Sequence, residues 1–149
     1  MKQQRHHGFT LIELLVVISI IAILASLVLS AAGYVQKKGA RSRAEGEIAA
    51  LGAALENFKA DNGDYPSNAT ANNSACLVTN LMPTNGAKVY FEFKPKSIVD
   101  GNFIDPWGNS YNYIYTNGSS NNGTNNYDLW SYADDVIKKS KTNTWIKNW

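Results

Sequence analysis

The most conspicuous pattern in the chain is an apolar run near its N-terminus. No charged residue lies between Leu14 and Ala32. A helix needs about 20 apolar residues to cross a bilayer, whereas the apolar part of a secretory signal peptide has about 7–15. The run therefore predicts a membrane-spanning helix over residues 9–33. An ordinary cleaved signal peptide, with its cleavage site near ILAS or SAAG, is the alternative.

Residues 34–61 keep a helical period after the apolar run has ended. Apolar positions recur at spacings of three and four, which places them on one face of a helix: Ile48, Leu51, Leu55 and Phe58. The first clear stop is Asn62-Gly63, followed by Pro66. The pattern predicts one helix of about 50 residues, roughly 80 Å long. Its first half is apolar all round, and its second half is amphipathic.

The rest of the chain reads as loops and short strands. Residues 67–88 are rich in Asn, Ser, Thr and Ala, and the segment from 62 to 88 is predicted to be a loop. Three strands are predicted in residues 89–149: Val89–Phe93, Ser110–Tyr115 and Tyr127–Tyr132. DPWG at 105–108 predicts a turn, and the C-terminal TNTWIKNW predicts a short strand or a cover of Trp145 and Trp149 on the sheet. The fold class is α+β, with a long helix packed on a small antiparallel sheet.

Charge and composition narrow the function. Lys2 and Arg5 account for the formal charge of +2, so the remaining basic and acidic side chains are equal in number. Nucleic acid is therefore not an expected partner, because phosphate binding needs a basic surface. Both histidines lie within the first eight residues, and Cys76 is the only cysteine. With no nucleophile–base constellation, enzyme activity is not expected.

One carboxylate, Glu13, stands at the head of the apolar run. An ionisable group at such a place is costly unless it has a partner, and it is a functional hypothesis by default. The alternative is that Glu13 only marks the membrane interface and extends its carboxylate to water.

The N-terminus resembles the class III signal segment of type IV pilins and type II secretion pseudopilins. The resemblance is carried by a short basic leader, by Gly8-Phe9, and by Glu13 at the fifth position after Gly8. A second, independent set of motifs resembles the major pseudopilins of type II secretion: ALENFKADNGDYP, DPWGNSYNY, YDLWSY and the terminal NW. Together they cover most of the chain outside 67–88 and imply a pilin-like fold.

The resemblance implies a processing step and an assembly. A prepilin peptidase would remove residues 1–8 by cutting between Gly8 and Phe9 and would methylate the new amine of Phe9. The membrane helix, 9–33, would anchor the subunit in the bacterial inner membrane by a single pass, with residues 34–149 as the periplasmic domain. Subunits would then leave the membrane and polymerise. Because the Phe9 amine in an apolar bundle needs a counter-charge, Glu13 of a neighbouring subunit is expected to supply it.

The function implied is that of a structural subunit of a pseudopilus that drives export of folded proteins across the outer membrane. Its partners would be copies of itself, minor pseudopilins, the inner-membrane assembly platform with its ATPase, and the prepilin peptidase. A type IV pilin subunit serving adhesion, twitching or DNA uptake is the first alternative. A membrane-anchored periplasmic binding module is the second, and it leaves the Gly8-Phe9/Glu13 pattern unexplained.

The loop after YDLWSY is where the resembling family holds Ca²⁺. The donors expected here are the Asp134 and Asp135 carboxylates, the Tyr132 and Val136 carbonyls, and Asn143 in place of a second, separated aspartate. A neutral amide oxygen lowers the ligand charge, so any site should be weaker than a version with that aspartate. The alternative is that these carboxylates are merely solvated and that Trp145 and Trp149 hold the segment.

Two further features have plain structural interpretations. The aromatic set Tyr111, Tyr113, Tyr115, Trp130 and Tyr132 is expected to divide between the core and the subunit surface by strand alternation; a stacking face for a ligand is the alternative. Cys76 is expected to be a small apolar filler.

Overall fold

The computed structural model describes residues 9–116, 121–135 and 142–149. Helix α1 spans Leu11–Asn62 and is the longest element by far. It ends where the sequence predicts: Gly63 has φ +88°, and its N–H donates to the Lys59 carbonyl at 2.7 Å. The chain divides into two compact units, 1–38 and 39–149. The predicted boundaries at 8/9 and 33/34 stay predictions.

The first unit is helical from Leu11 onward, and its apolar side chains are exposed. The large hydrophobic residues from Leu11 to Val17 are between 46% and 82% exposed, and those from Ile18 to Leu29 between 51% and 76%. This helix is long and apolar enough to cross a membrane by length and composition. Within the described part of its own unit, this apolar surface is uncovered.

The second unit packs the later part of α1 against a four-stranded antiparallel sheet. The strands are β1 (Asn68–Asn73), β4 (Asn112–Tyr115), β5 (Asp128–Ser131) and β6 (Ile146–Lys147), hydrogen-bonded in the order β1-β4-β5-β6. A separate two-stranded ribbon joins β2 (Ile98–Val99) to β3 (Asn102–Phe103). A short helix, α2 (Ala75–Leu81), and a 3₁₀ turn (Pro95–Ser97) complete the unit. The α+β class is confirmed.

The predicted apolar stripe of α1 is the centre of the core. Ile48, Leu51 and Leu55 are buried, and Phe58 is partly buried against the same cluster. Ala44 and Ala54 extend the buried face. At Gly52 the helix approaches the sheet closely, because a Cβ there would lie 3.1 Å from the Tyr127 hydroxyl.

Two of the predicted elements are wrong. Residues 62–88 are not one loop, since they contain β1 and α2; the polar composition hid β1, which pairs through its backbone with β4, and α2 buries Leu77 and Leu81. Val89–Phe93 is not a strand. The amides of Tyr90 and Phe91 both donate to the Leu81 carbonyl, and the apolar alternation reflects burial against the core rather than pairing.

The other predicted elements are confirmed. Strands β4 and β5 lie within Ser110–Tyr115 and Tyr127–Tyr132, and the C-terminal segment adds β6. In the DPWG turn, the Gly108 N–H donates to the Asp105 carbonyl at 3.0 Å, and Gly108 has φ +84°. The β2–β3 ribbon was missed, although Asp100-Gly101, with φ of +49° and +76°, is a strong sequence signal for a tight hairpin.

Tyrosine hydroxyls tie the sheet to the helix and to the segment that follows it. The Tyr111 hydroxyl donates to Glu47 Oε2 at 2.6 Å, and the Tyr65 hydroxyl donates to Glu56 Oε1 at 2.7 Å. The Tyr115 hydroxyl donates to Asp64 Oδ1. This last bond, together with the Tyr65 N–H, lowers the pKa of the Asp64 carboxyl.

A pH dependence of stability follows from the Tyr115–Asp64 bond. The folded-state pKa of Asp64 lies below the ordinary value of 3.8, so this contribution is present above that pH and is lost as the pH falls through the folded pKa. Tyr115→Phe should therefore lower the thermal unfolding midpoint relative to the wild type. At pH values where Asp64 is fully ionised, this deficit should not change with pH. That deficit should shrink below about pH 4 in tryptophan-fluorescence melts.

Tyr113→Phe is the matched control, because the Tyr113 hydroxyl donates to the backbone carbonyl of Pro66 at 2.8 Å. Its loss, about 1 kcal/mol of unfolding free energy, should not vary with carboxylate titration. A Tyr115→Phe deficit that stays the same down to about pH 2.5 would show that the Asp64 carboxylate does not contribute.

Candidate functional site

The predicted assembly residue Glu13 lies in the first turn of α1, where its carboxylate caps its own helix. Thr10 N–H and Thr10 Oγ both donate to Glu13 Oε2, at 2.8 and 2.7 Å. In return, Glu13 N–H contacts Thr10 Oγ at 3.3 Å. These reciprocal bonds form a capping box, which satisfies amides that a helix N-terminus leaves without partners.

The capping role of Thr10 was missed from the sequence. The signal was present, because T-x-x-E directly before an apolar run is the pattern of a capping box. The carboxylate also lies at the positive end of the helix dipole, which favours a negative charge there. Glu13 is therefore held by its own chain before any neighbour is considered.

An apolar groove runs beside the Glu13 carboxylate. It is lined by Phe9, Ile12, Glu13, Val16 and Val17, and the Phe9 side chain is 81% exposed. Of the two predicted processing residues, Phe9 precedes α1, and Gly8 lies outside the described residues. The arrangement offers one carboxylate in an otherwise apolar surface, which is the chemistry that a single amine requires.

The predicted calcium donors all belong to the loop that joins β5 to β6. Asp134 is exposed and Asp135 is partly exposed, while Val136 lies outside the described residues. Asp135 N–H donates to the Tyr132 carbonyl at 3.2 Å, which closes a turn at the start of the loop. Asn143 is exposed on the other side of the loop.

Two contacts bring the ends of this loop together. Ser131 pairs with Ile146 across the β5–β6 ladder, and the rings of Tyr132 and Trp145 lie 4.8 Å apart in an edge-to-face contact. The first and last described residues of this loop therefore lie next to each other. Among the described residues, no group of three or more His, Cys, Asp or Glu side chains gathers at one point. The oxygen donors fit Ca²⁺ in kind, with carboxylate charge from Asp134 and Asp135 only.

The aromatic set divides between the two faces of the sheet, as alternation predicts. Tyr111, Tyr113 and Tyr115 are buried in the core. Trp130 and Tyr132 point to the other face, but they are not left bare. Trp145 and Trp149 of the same chain pack on Trp130, with ring centroids 6.4 and 5.9 Å away. The expectation that this half forms open subunit surface is therefore wrong for Trp130, which is 7% exposed.

Cys76 is a half-buried residue packed against the core, as expected for a filler. Its thiol donates to the Ser67 carbonyl at 3.4 Å, and burial raises the pKa of the thiol. A raised thiol pKa reduces the thiolate fraction, which disfavours reactivity.

One charged surface was not foreseen. A cleft is lined by three basic side chains, Arg43, Lys94 and Lys96, together with residues of the DPWG turn. Arg43 Nε also donates to Glu47 Oε1 at 2.8 Å. Arg43 lies about fifty residues before Lys94 and Lys96 in the sequence, so only the fold brings it to the same surface as the two lysines.

Comparison with known proteins identifies the family. The prokaryotic N-terminal methylation motif matches residues 3–29, and the family described as type II secretion system (T2SS), protein G, matches residues 33–149. A relative from Aeromonas hydrophila, named type II secretion system core protein G, is 38% identical over 76% of this chain and 76% of its own length. The protein of the same name from Pseudomonas aeruginosa is 35% identical over 100% of this chain and 99% of its own. The Vibrio cholerae protein of the same name is 36% identical over 76% of this chain and 73% of its own length.

The apolar helix, the capped carboxylate at its head and the small sheet now agree with the family match over most of the chain. The chain therefore belongs to the type II secretion system protein G family.

Proposed function

We propose that the chain is a structural subunit of a type II secretion pseudopilus, assembled from the inner membrane to drive export of folded proteins across the outer membrane. The observation that carries the proposal is the uncovered apolar surface of α1 from Leu11 to Leu29. Such a surface needs either lipid or other apolar helices around it. Before assembly, this apolar surface anchors the subunit in the membrane. In the filament, it packs against the same surface of neighbouring subunits and forms the filament core. No observation favours the type IV pilin or the binding module.

Assembly begins with removal of residues 1–8. The leader carries Lys2 and Arg5, and these charges cannot be buried at the end of a filament-core helix without partners. Cleavage between Gly8 and Phe9 replaces them by one amine, which a prepilin peptidase then methylates. The amine carries a single positive charge, which one carboxylate can neutralise.

Glu13 acts before and after assembly, with one carboxylate oxygen for each role. In the membrane-anchored subunit, Oε2 accepts both Thr10 donors, so the carboxylate is satisfied by its own helix. Oε1 makes no hydrogen bond within the described chain and is available to the Phe9 amine of the neighbouring subunit. That pairing sets the axial register of one subunit on the next, and it gains strength as the site leaves water.

The remaining partners follow from this cycle. The inner-membrane platform and its ATPase supply the work that extracts the helix from lipid, and minor pseudopilins join the same helical assembly. The second unit, 39–149, faces the periplasm. The protein acts mechanically and not as an enzyme. Ca²⁺ binds weakly in the β5–β6 loop, held by Asp134 and Asp135 with Tyr132, Val136 and Asn143.

The processing step predicts a mature chain that begins at Phe9. Intact-mass analysis of membrane-extracted protein should show loss of residues 1–8 and one added methyl group. Gly8→Leu should block cleavage, since the peptidase must accept the residue before the cut, whereas the nearby change Gln4→Leu should not. A chain that still begins at Met1, or one cut beyond Ser26, would contradict the proposal.

The pairing role of Glu13 can be separated from its capping role. Glu13→Gln keeps a side chain that completes a capping box but removes the charge, so membrane insertion should persist while filaments and secretion are lost. Thr10→Ala is the matched variant, because it removes the side-chain cap and keeps the charge. Filament yield and secreted protein are the measurements. Wild-type assembly by Glu13→Gln would mean that capping, and not pairing, is the function of Glu13.

The calcium site predicts a metal-dependent stability. Millimolar Ca²⁺ should raise the thermal midpoint of the processed chain in detergent relative to EDTA, because a ligand bound only by the native state stabilises it by mass action. The rise should disappear in Asp135→Ala and persist in Glu92→Ala, an exposed carboxylate outside the loop. Equal wild-type midpoints in Ca²⁺ and EDTA would rule out the site.

A further inference from the structure

Four asparagines of the chain are followed directly by glycine, a pair that is open to reaction with itself. Glycine has no Cβ to keep its own backbone nitrogen away from the preceding side chain. The structure describes three of these pairs, Asn62-Gly63, Asn85-Gly86 and Asn122-Gly123. The fourth, at 117–118, lies outside the described residues. The surroundings of each described pair decide whether its two reacting groups are free.

The reaction needs a free glycine nitrogen and an accessible asparagine side chain. The glycine nitrogen attacks Cγ of the asparagine, so a new C–N bond closes a cyclic imide. The Cγ–Nδ2 bond breaks, and the amide nitrogen leaves as ammonia with the proton of the glycine N–H. Water then opens the imide at either carbonyl, which gives aspartate or isoaspartate. The oxidation state of every atom is unchanged.

Hydrogen bonds hold both reacting groups of Asn62-Gly63. The Gly63 N–H donates to the Lys59 carbonyl at 2.7 Å, which occupies the attacking nitrogen. Asn62 Nδ2 donates to the Phe58 carbonyl at 2.9 Å and to the Tyr90 hydroxyl at 3.1 Å. The end of α1 must therefore open before this pair can react.

Asn122-Gly123 is held through the backbone of the asparagine. Asn122 is half-buried, its N–H donates to Asp128 Oδ1 at 3.1 Å, and its carbonyl accepts from Asn126 Nδ2 at 3.4 Å. Its side-chain amide donates to the Tyr127 carbonyl at 3.5 Å. Attack would require the side chain and the peptide to turn toward each other against these bonds.

Asn85-Gly86 is the open pair. Residues 84–89 are exposed, and none of the described residues accepts a hydrogen bond from the Gly86 N–H. Gly86 has φ +80°, and nothing lies within 4 Å of the position that a Cβ would take. The Ala87 N–H donates to Asn85 Oδ1 at 3.2 Å. This bond folds the side chain over the Gly86 peptide and stabilises the negative charge that develops on Oδ1 during attack.

We propose that Asn85-Gly86 is a self-modification site, at which the folded chain loses ammonia and takes up water to form aspartate or isoaspartate. The substrate is the chain's own side-chain amide, and water is the co-reactant. Conversion adds one negative charge to residues 9–149, whose basic and acidic side chains are otherwise equal in number. The new charge lies three residues before Lys88, which pairs with Asp61. The surface charge of the subunit therefore changes after the subunit has been made.

The test compares rates within one molecule. The processed chain in detergent is incubated in mildly alkaline buffer, digested with trypsin and analysed by fragmentation mass spectrometry, which distinguishes isoaspartate from aspartate. Lys59 and Lys88 bound a single tryptic peptide that contains both Asn62 and Asn85. Asn85 should convert about tenfold faster than Asn62 or Asn122, because each of the slower pairs must first break hydrogen bonds. In denaturant, the three rates should become similar.

Two glycine variants test the attacking atom. Gly86→Ala places a Cβ beside the nitrogen and disfavours the positive φ, so it should slow conversion of Asn85 about tenfold. Gly101→Ala is the matched control, because Gly101 has φ +76° and equally open space, but lies in the β2–β3 turn. Its Asn85 should convert at the wild-type rate.

Several results would overturn the inference. One is a folded chain in which Asn62 or Asn122 converts as fast as Asn85, and another is a ratio of rates that denaturant leaves unchanged. An Asn85 that stays intact while the denatured chain converts would be equally decisive. If Gly86→Ala fails to fold by circular dichroism, the comparison of folded and denatured wild type decides by itself.

Discussion

The structure depends first on the apolar surface of the first unit, which no described residue of that unit covers. From Leu11 to Leu29 the helix shows its hydrophobic side chains on every side, and none of them is buried within its own unit. Such a helix needs lipid or other apolar surfaces around it, and both are poor partners for the polar groups of its first turn. The backbone amides and the charge at that turn then need partners of their own. Thr10 and Glu13 supply them, which is why a carboxylate can stand in this position in a subunit that has not yet assembled.

In the second unit, the strands of the sheet are very short and need stabilising contacts from the helix. The stripe from Ala44 to Leu55 gives the sheet an apolar partner. The tyrosine hydroxyls then attach to carboxylates of the helix and of its C-terminal turn. Burial and the Glu47 carboxylate raise the pKa of Tyr111, so its hydroxyl is a neutral donor at neutral pH. Packing fixes the distance between helix and sheet, and these directional bonds fix the register.

The sequence predicts what arises from local periodicity and misses what arises from tertiary contact. The extent of α1, the positions of β4 and β5 and the DPWG turn could be read directly because each carries its own pattern. Strand β1 could not, because its backbone pairing with β4 owes nothing to its polar composition. VYFEF alternates like a strand, yet it is held by the end of α2. Glu13 was predictable as a charge at the head of an apolar run, whereas its hydrogen bonds to Thr10 required the structure or attention to the T-x-x-E pattern.

The same distinction explains the loop between β5 and β6. Its candidate calcium donors were predicted from sequence order, whereas the hydrogen bond from Asn109, just after the DPWG turn, to the Ala133 carbonyl appears only in the fold. Asp105 is buried without a cationic partner among the described residues, and it is tolerated because peptide N–H groups and a serine hydroxyl bind its oxygens. Removing any of these donors would leave a buried charge short of partners. The aspartate of DPWG, the serine of YDLWSY and the Ala133 N–H therefore form one series of hydrogen bonds, which connects the turn to the residues that directly follow β5.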